Sequence, residues 1–413
     1  MRILFIHQNF PGQFKHLAPE LARMGHEVRT LTLARPAGLP GIVHHGYKVS
    51  RGTSRGIHPW ASEFETKILR GEACARAALE LAAQGYAPDV ICAHPGWGES
   101  LFLREVWPEA KQLHFVEFHY ASSGLDVGFD PEFGSPDFDN RCRVRTKNAS
   151  GLLSLNDMDW GLTPTQWQKS TVPEIYHPRI SAIHDGIDTQ RVAPNPDARF
   201  ELKLADGSTR VLRPGDEVVT FVNRNLEPSR GYHRFMRALP ALLEARPSAQ
   251  ILIVGGDEVS YGARPTEGSY KERFFAEVRD RIDVSRVHFL GRIPYPRFLS
   301  LLQVSAAHVY LTYPFVLSWS MLEAMSAGAL VIASRTAPVT EVLEHGRNGL
   351  LCDFHDSEGL AALVADVLEH PAQHAPLRQA ARQTIISRYD LRNRCLPAQL
   401  ALVEALARGG IPV

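Results

Sequence analysis

The chain has no excess of either charge: Lys+Arg and Asp+Glu each count 45 in 413 residues. With no global field of one sign, nothing in the composition recruits nucleic acid or an anionic membrane. Cysteine is scarce as well. The five residues (Cys74, Cys92, Cys142, Cys352, Cys395) are odd in number, scattered, and form no C-x-x-C. That argues against a disulfide frame or a zinc site, and for reduced thiols in a cytoplasmic protein. Long apolar runs are missing too. The Ile3 to Ile6 run is cut by His7-Gln8-Asn9, so it reads as a strand and not a signal h-region. No stretch has the length to span a bilayer, which leaves only peripheral membrane contact open. Tandem repeats and low-complexity tracts are also lacking. What is present, 44% hydrophobic and 22% charged residues, is an ordinary globular composition with length enough for two domains.

Strand alternates with helix along most of the chain, which implies parallel sheets covered on both faces. The first strand is RILFIH. A helix starting at Phe14 follows, with Leu17, Leu21 and Met24 on its apolar face, then a strand over Arg29 to Leu33 and a helix over Ser62 to Gln84. Strands are expected at Val90 to Cys92, Leu113 to Phe118 and Ile180 to His184. Residues 120–139 have no period and follow a strand's carboxyl end, so they read as a substrate-covering loop. Arg141, Arg143, Arg145 and Lys147 read as a solvated face. Glu201 to Asp216 breaks the rhythm; two short runs about Asp206-Gly207 read as a β-hairpin. The expected division is 1–190, a connector over 191–217, a second domain over 218–390, and a terminal segment over 391–413.

One window carries chemistry. Ala307 to Ser334 reads strand, tight polar segment, helix from Met321, then strand. The unpaired N–H groups of a helix starting after a strand face the crevice where open α/β sheets bind phosphate. Glu323, expected in that helix's first turn, can accept hydrogen bonds from a diol such as ribose. An ordinary crossover with a helix-start acid fits the window alone equally well.

Motifs elsewhere decide between them. Phe10-Pro11-Gly12 with LAPELARMGHEV, HDGID at His184 to Asp188, FVNRNLEPSRG at Phe221 to Gly231, FLGRIPYPRFLSLL, LEAMSAGALVIAS and EVLEHGRNGLL occur in this order. Together they resemble the retaining glycosyltransferases of family 4. The resemblance spans nearly the whole chain and implies the GT-B fold, an α/β architecture of two facing Rossmann-like domains with a cleft between them. It also implies that the terminal segment crosses back onto the first domain.

For chemistry, the resemblance implies sugar transfer from a nucleotide-sugar donor with retention and without a metal or cofactor. A UDP-sugar is the expected donor, with the base left open. Arg224 and Arg230 match the paired cations that face the pyrophosphate; Arg230 stands where the family more often has Lys, and a planar fork replaces a point charge. Glu323 matches the ribose acid. The backbone of Ser318, Trp319 and Ser320 falls where the family meets the sugar and distal phosphate, and that of Arg292 and Ile293 where it meets the base. Gly12 matches a close approach of backbone to pyrophosphate, and His119 a histidine bonded to the donor sugar near its reacting carbon. His94 also ends a strand but reads as structural. The commonly discussed route is front-face attack, with the departing phosphate taking the acceptor's proton. The acceptor, whether glycan, lipid-linked or protein, is unspecified.

Phe315 departs from the pattern. It stands eight residues before Glu323, where the family has a first glutamate near the donor sugar, and Ser318 replaces a glycine. These changes leave nucleotide binding intact and put the sugar in question. A catalytically inactive nucleotide-sugar-binding subunit is therefore the alternative to a transferase, ahead of a GT-B epimerase or phosphorylase.

Overall fold

Ile3, Leu4, Phe5 and Ile6 are all fully buried. A strand buried on both faces belongs inside a parallel sheet covered by helices, and that is how the chain folds twice. The computed structural model describes residues 1–33, 38–204 and 206–411; the last two residues of the terminal segment lie outside them. The chain divides into two units, one of Met1–Gly186 plus the segment from Leu391 onward, the other Ile187–Asp390.

Unit 1 contains β1 (Arg2–Ile6), β2 (Glu27–Thr32), β3 (Ile42–Gly46), β4 (Val90–Ala93), β5 (Lys111–Phe115), β6 (Trp160–Thr163) and β7 (Ile180–Ala182). They form one sheet of order β3-β2-β1-β4-β5-β6-β7, parallel throughout. Two of these strands escape the sequence rhythm. β3 (IVHHG) is partly exposed at the sheet edge, and β6 (WGLT) is only four residues long. The first helix proper is Leu17–Arg23, preceded by a 3-10 turn at Gly12–Phe14, and Met24 is exposed rather than on the apolar face. Asp130 and Asp137 cap the turn Pro131–Phe133 and the helix Phe138–Lys147. Leu391–Cys395 winds as a π-turn, and the α-helix runs Leu396–Ala407, with Pro397 in its first turn where no N–H is required. Its Leu402, Val403 and Leu406 share one core with Ile3, Phe5, Leu17 and Phe115.

Unit 2 opens with an antiparallel hairpin of β8 (Phe200–Lys203) and β9 (Thr209–Leu212). The strands β10 (Val218–Asn225), β11 (Gln250–Gly256), β12 (Val287–Gly291), β13 (Ala307–Tyr310), β14 (Leu330–Ser334) and β15 (Leu350–Cys352) follow. Their order is β12-β11-β10-β13-β14-β15, again all parallel. The two ends of the unit are tied together. Ile187 N–H donates to the Tyr389 carbonyl at 2.8 Å, and the Thr189 hydroxyl bonds Asp390. That clasp sets the beginning of the unit at Ile187 rather than at 190. The helix after β14 is only Ala337–Thr340. Asn348 takes over its backbone: Oδ1 accepts from Glu344 N at 2.7 Å and Nδ2 donates to the Val342 carbonyl at 3.0 Å, so the helical ladder stops. Among the described residues no helix is long and apolar enough to cross a membrane.

Candidate functional site

In unit 2 the sheet order reverses between β10 and β13: the chain steps from β10 out to β11 and β12, then returns to β10's other side. The loops leaving these two strands therefore diverge and open the crevice where doubly wound sheets bind ligands. Arg224, Arg230, Phe315 and Ser318 to Glu323 all lie on β10, on these two loops, or in the helix that follows.

The β10 loop closes with the turn Pro228–Arg230, capped by Gly231. Gly231 has φ 68°, and a Cβ there would come within 2.3 Å of the Leu311 Cβ. Only glycine lets the two loops lie this close. Arg230 is thereby carried to the β13 side, where it is 8% exposed. Its Nη1 donates to Thr312 Oγ1 at 2.9 Å and to the Val316 carbonyl at 3.0 Å. Among the described residues, Nε and Nη2 have no protein acceptor. Tyr261 and Phe315 flank the guanidinium, with ring centroids 5.5 and 5.6 Å from its carbon, and meet each other edge-on at 4.7 Å. Glu227 positions Tyr261 by accepting from the Ser260 and Tyr261 N–H groups at 2.7 and 3.1 Å. Burial pushes Glu227 above the ordinary carboxylate range even against those amides and Arg230.

Ser318 caps the next helix, its Oγ accepting from Ser320 N at 3.3 Å. A serine in this role starts the helix at Trp319, two residues earlier than the pattern suggests. Glu323 consequently lies beyond the first turn, not within it. It is 9% exposed and accepts from the Tyr295 hydroxyl at 2.8 Å. Burial, and then the Glu323 charge, raise the Tyr295 phenol above its usual range. The Ser318 N–H is also occupied, donating to Tyr310 Oη at 2.8 Å. A phosphate at the Ser318 and Ser320 amides would compete with these internal acceptors.

The remaining residues of this unit are less concentrated. Arg224 is exposed and has no hydrogen bond or ion pair among the described residues. The Arg292 side chain donates to Asn225 Oδ1 at 3.2 Å and to Glu258 Oε2 at 2.9 Å, an exposed pair of small energetic weight. Ile293 packs against the apolar core.

Unit 1 reverses its own order between β1 and β4. Here a chain of bonds fixes each histidine's tautomer. His7 Nδ1 accepts from Asn9 N at 2.9 Å, so the neutral ring's proton is on Nε2, which donates to Gln13 Oε1 at 2.8 Å. Gln13 Nε2 donates to Glu117 Oε1 at 3.1 Å. His94 Nδ1 accepts from Gly96 N at 3.2 Å, so Nε2–H faces Glu117 Oε2 at 3.7 Å. Burial foremost, and then His94, lower the pKa of His7 to about 4. Burial would raise Glu117, but the nearby His94 ring and the Gln13 donor hold it below its ordinary value. Gly12 serves this cluster directly: a Cβ there would lie 2.2 Å from His7 Nε2. His119 is elsewhere. Its N–H donates to Thr171 Oγ1 at 3.3 Å and its Nε2 accepts from Asn148 Nδ2 at 3.2 Å; burial lowers its pKa.

Two family patterns match the chain, Glycosyl transferase family 4 group over residues 24–192 and Glycosyl transferases group 1 over residues 208–384. The chain belongs to the group 1 glycosyltransferases of family 4. Glycogen synthase of Mycobacterium tuberculosis is 25% identical over 94% of this chain and 91% of its own. A GDP-mannose-dependent alpha-(1-6)-phosphatidylinositol monomannoside mannosyltransferase of Mycolicibacterium smegmatis is 27% identical over 58% of this chain and 60% of its own. Among solved structures, sucrose-phosphate synthase from Thermosynechococcus elongatus matches with a TM-score of 0.71 at 19% identity, covering 99% of this chain and 97% of that one. HepE from Anabaena, in complex with UDP and glucose, matches with a TM-score of 0.66 at 16% identity, covering 98% and 99%. The fold of this glycosyltransferase is GT-B.

Several residues of the glycosyltransferase's strand-end clusters carry no signal in the sequence pattern. Tyr261 and Glu227 meet only because the segment after β11 folds back, and that segment has no period. Thr312 sits inside an apolar run. In unit 1, Gln13 and His7 are six residues apart and read as ordinary loop polarity. Glu117 did offer a signal: an acid directly after the buried run His114-Phe115-Val116, two residues before His119.

Proposed function

We propose that this glycosyltransferase moves a sugar from a nucleoside diphosphate donor to an acceptor with retention of configuration, using protein cations and no metal to answer the pyrophosphate charge. The buried Arg230 carries the reading. Negative charge grows on the pyrophosphate as the glycosidic bond breaks, and a guanidinium held in place beforehand stabilises it without reorganisation. Thr312 and Val316 hold one nitrogen of the fork, while Nε and Nη2 keep their donors for a ligand. Arg224 adds a second cation from the end of β10. Glu323, with Oε1 already accepting from Tyr295, takes the ribose diol. The Ser318, Trp319 and Ser320 amides take the distal phosphate or sugar, and the Arg292 and Ile293 backbone the base. His119, neutral with Nδ1–H as its donor, and Gly12 keep the roles toward the donor that the family implies. In the retaining route the departing phosphate accepts the acceptor's proton.

The relatives support a nucleotide donor without fixing its base. The mannosyltransferase is named for GDP-mannose, HepE was solved with UDP, and the catalytic domain of starch synthase IV from Arabidopsis thaliana with ADP. We favour a UDP-sugar. Five free cysteines, four of them buried, suit a reducing compartment, and we place the protein in the cytoplasm. The test is nucleoside diphosphate release from a panel of UDP-, GDP- and ADP-sugars, with and without EDTA. Release that persists in EDTA is expected; strict dependence on added Mg²⁺ or Mn²⁺ would move the charge stabilisation from Arg230 to a metal. Tight nucleotide binding with no release from any donor would make the protein a binding subunit.

A further inference from the structure

We infer that His94 and Glu117, at the strand-order reversal of unit 1, form a subsite for one hydroxyl of a neutral polyol, a sugar or a cyclitol. His94 is 2% exposed, yet its Nε2 has no hydrogen-bond partner. The backbone N–H of Gly96 occupies Nδ1 and leaves Nε2 as the donor. Opposite it stands Glu117 Oε2, the free oxygen of a carboxylate whose other oxygen accepts from Gln13. At 3.7 Å the two are too far apart for a hydrogen bond of their own. A buried donor left unmade is costly, so the arrangement fits a third group that satisfies both.

That group must accept from His94 and donate to Glu117. A hydroxyl does both; an ammonium cannot accept and a carboxylate cannot donate. A single water meets the same requirement, but two features favour a larger ligand. Glu117 keeps 36% of its side chain exposed, so the pair opens outward. Trp97 packs its ring 4.5 Å from that of His94 and 4.9 Å from that of His7 and is itself only partly buried, an apolar wall suited to a sugar's C–H face. His7, Gln13 and Gly12 act behind the pair. They fix which Glu117 oxygen is spent and which is left.

The inference rests on the transferase reading for its meaning, because the polyol is then either the acceptor or the donor sugar. Histidine ¹⁵N NMR on the full chain, with free glucose, maltose and myo-inositol in one arm and UDP, UDP-glucose and GDP-mannose in the other, tells the sources apart. A shift of the His94 Nε2 resonance with a free polyol marks an acceptor subsite; a shift with a nucleotide sugar but not with UDP marks a donor-sugar subsite. Glu117→Gln keeps the shape, removes the charge, and should weaken that ligand at least tenfold while UDP and GDP affinities stay unchanged. Should E117Q fail to fold, Glu117→Asp, which keeps the charge but draws it back by one methylene, should show a smaller loss. No His94 shift with any of these ligands, or equal affinity in E117Q, overturns the inference. Loss of nucleotide binding in the unmodified chain would count against the transferase reading instead.

Discussion

Arg230→Ala is the sharpest perturbation the structure offers. It removes a cation that is 8% exposed and anchored by two hydrogen bonds through one nitrogen. Losing one preorganised donor to a developing oxyanion costs about 3–4 kcal/mol, so kcat/KM for the donor should fall by several hundred-fold. The side chain also has a folding role, and the two can be separated. Thr312 Oγ1 still donates to the Tyr313 carbonyl after the change, whereas the Val316 carbonyl loses its bond from Arg230. An acceptor left unmade there costs about 1–3 kcal/mol of stability, readable by urea unfolding. Arg230→Lys keeps the charge but cannot bridge Thr312 and Val316 while reaching a phosphate, so it should retain more activity than alanine without restoring it. Initial rates of nucleoside diphosphate release, alongside calorimetric nucleotide affinity, give both readings. A folded R230A variant within about threefold of wild type in kcat/KM would refute the clamp, since that corresponds to under 1 kcal/mol.

Glu323→Gln should weaken UDP at least about tenfold, the scale of a charge-assisted hydrogen bond, while leaving 2′-deoxy-UDP much less affected; equal losses for both nucleotides would detach Glu323 from the ribose. Stability should fall on acidification. His7, His114 and His184 are lowered to about 4, chiefly by burial, whereas an unfolded histidine takes its proton near pH 6.5. Between those values the unfolded state binds more protons, so this contribution is complete above about pH 6.5 and is lost as pH drops toward 4, by up to about 1.4 kcal/mol per histidine per pH unit. Equal urea midpoints at pH 7 and pH 5 would contradict it.

The parallel sheets were legible because their strands are buried on both faces and read as unbroken apolar runs, as Ile3 to Ile6 and Ile251 to Val254 do. Strands β3 and β6 were not, one being an exposed edge and the other having its apolar run broken by Gly161 and Thr163. Helix limits failed where side chains intervene. Ser318 starts its helix two residues early, and Asn348 captures the backbone that would have continued another. The residues expected at the candidate site came from the family resemblance, and the structure brings Arg230, Phe315 and Ser318 to Glu323 together at one strand-order reversal. The site's internal wiring was not legible. The contacts of Arg230 with Tyr261 and Thr312, and of Gln13 with Glu117, join segments 31, 82 and 104 residues apart, and no local pattern encodes such pairs.

Phe315 connects the departure from the family pattern to the clamp. An acid at this position would stand beside the Arg230 guanidinium, whose carbon is 5.6 Å from the Phe315 ring centroid. A carboxylate that close would pair with the cation and spend part of its charge away from the pyrophosphate. A phenyl ring leaves that charge available and, with Tyr261 against its edge, builds an apolar wall. The wall cannot accept from sugar hydroxyls, and a buried hydroxyl left unpaired costs about 1–3 kcal/mol. Donors that offer a deoxy position or an N-acetyl group there should therefore outperform those with a free hydroxyl, unless Ser318 and Ser320 supply the missing acceptors. UDP-glucose, UDP-N-acetylglucosamine and a deoxy analogue share one nucleotide, so their kcat/KM ratios isolate the sugar term. Phe315→Glu should raise the UDP-glucose ratio against the other two while lowering the Arg230-dependent share of turnover. If plain UDP-glucose is the best donor and F315E does not improve it further, the ring does not select the sugar.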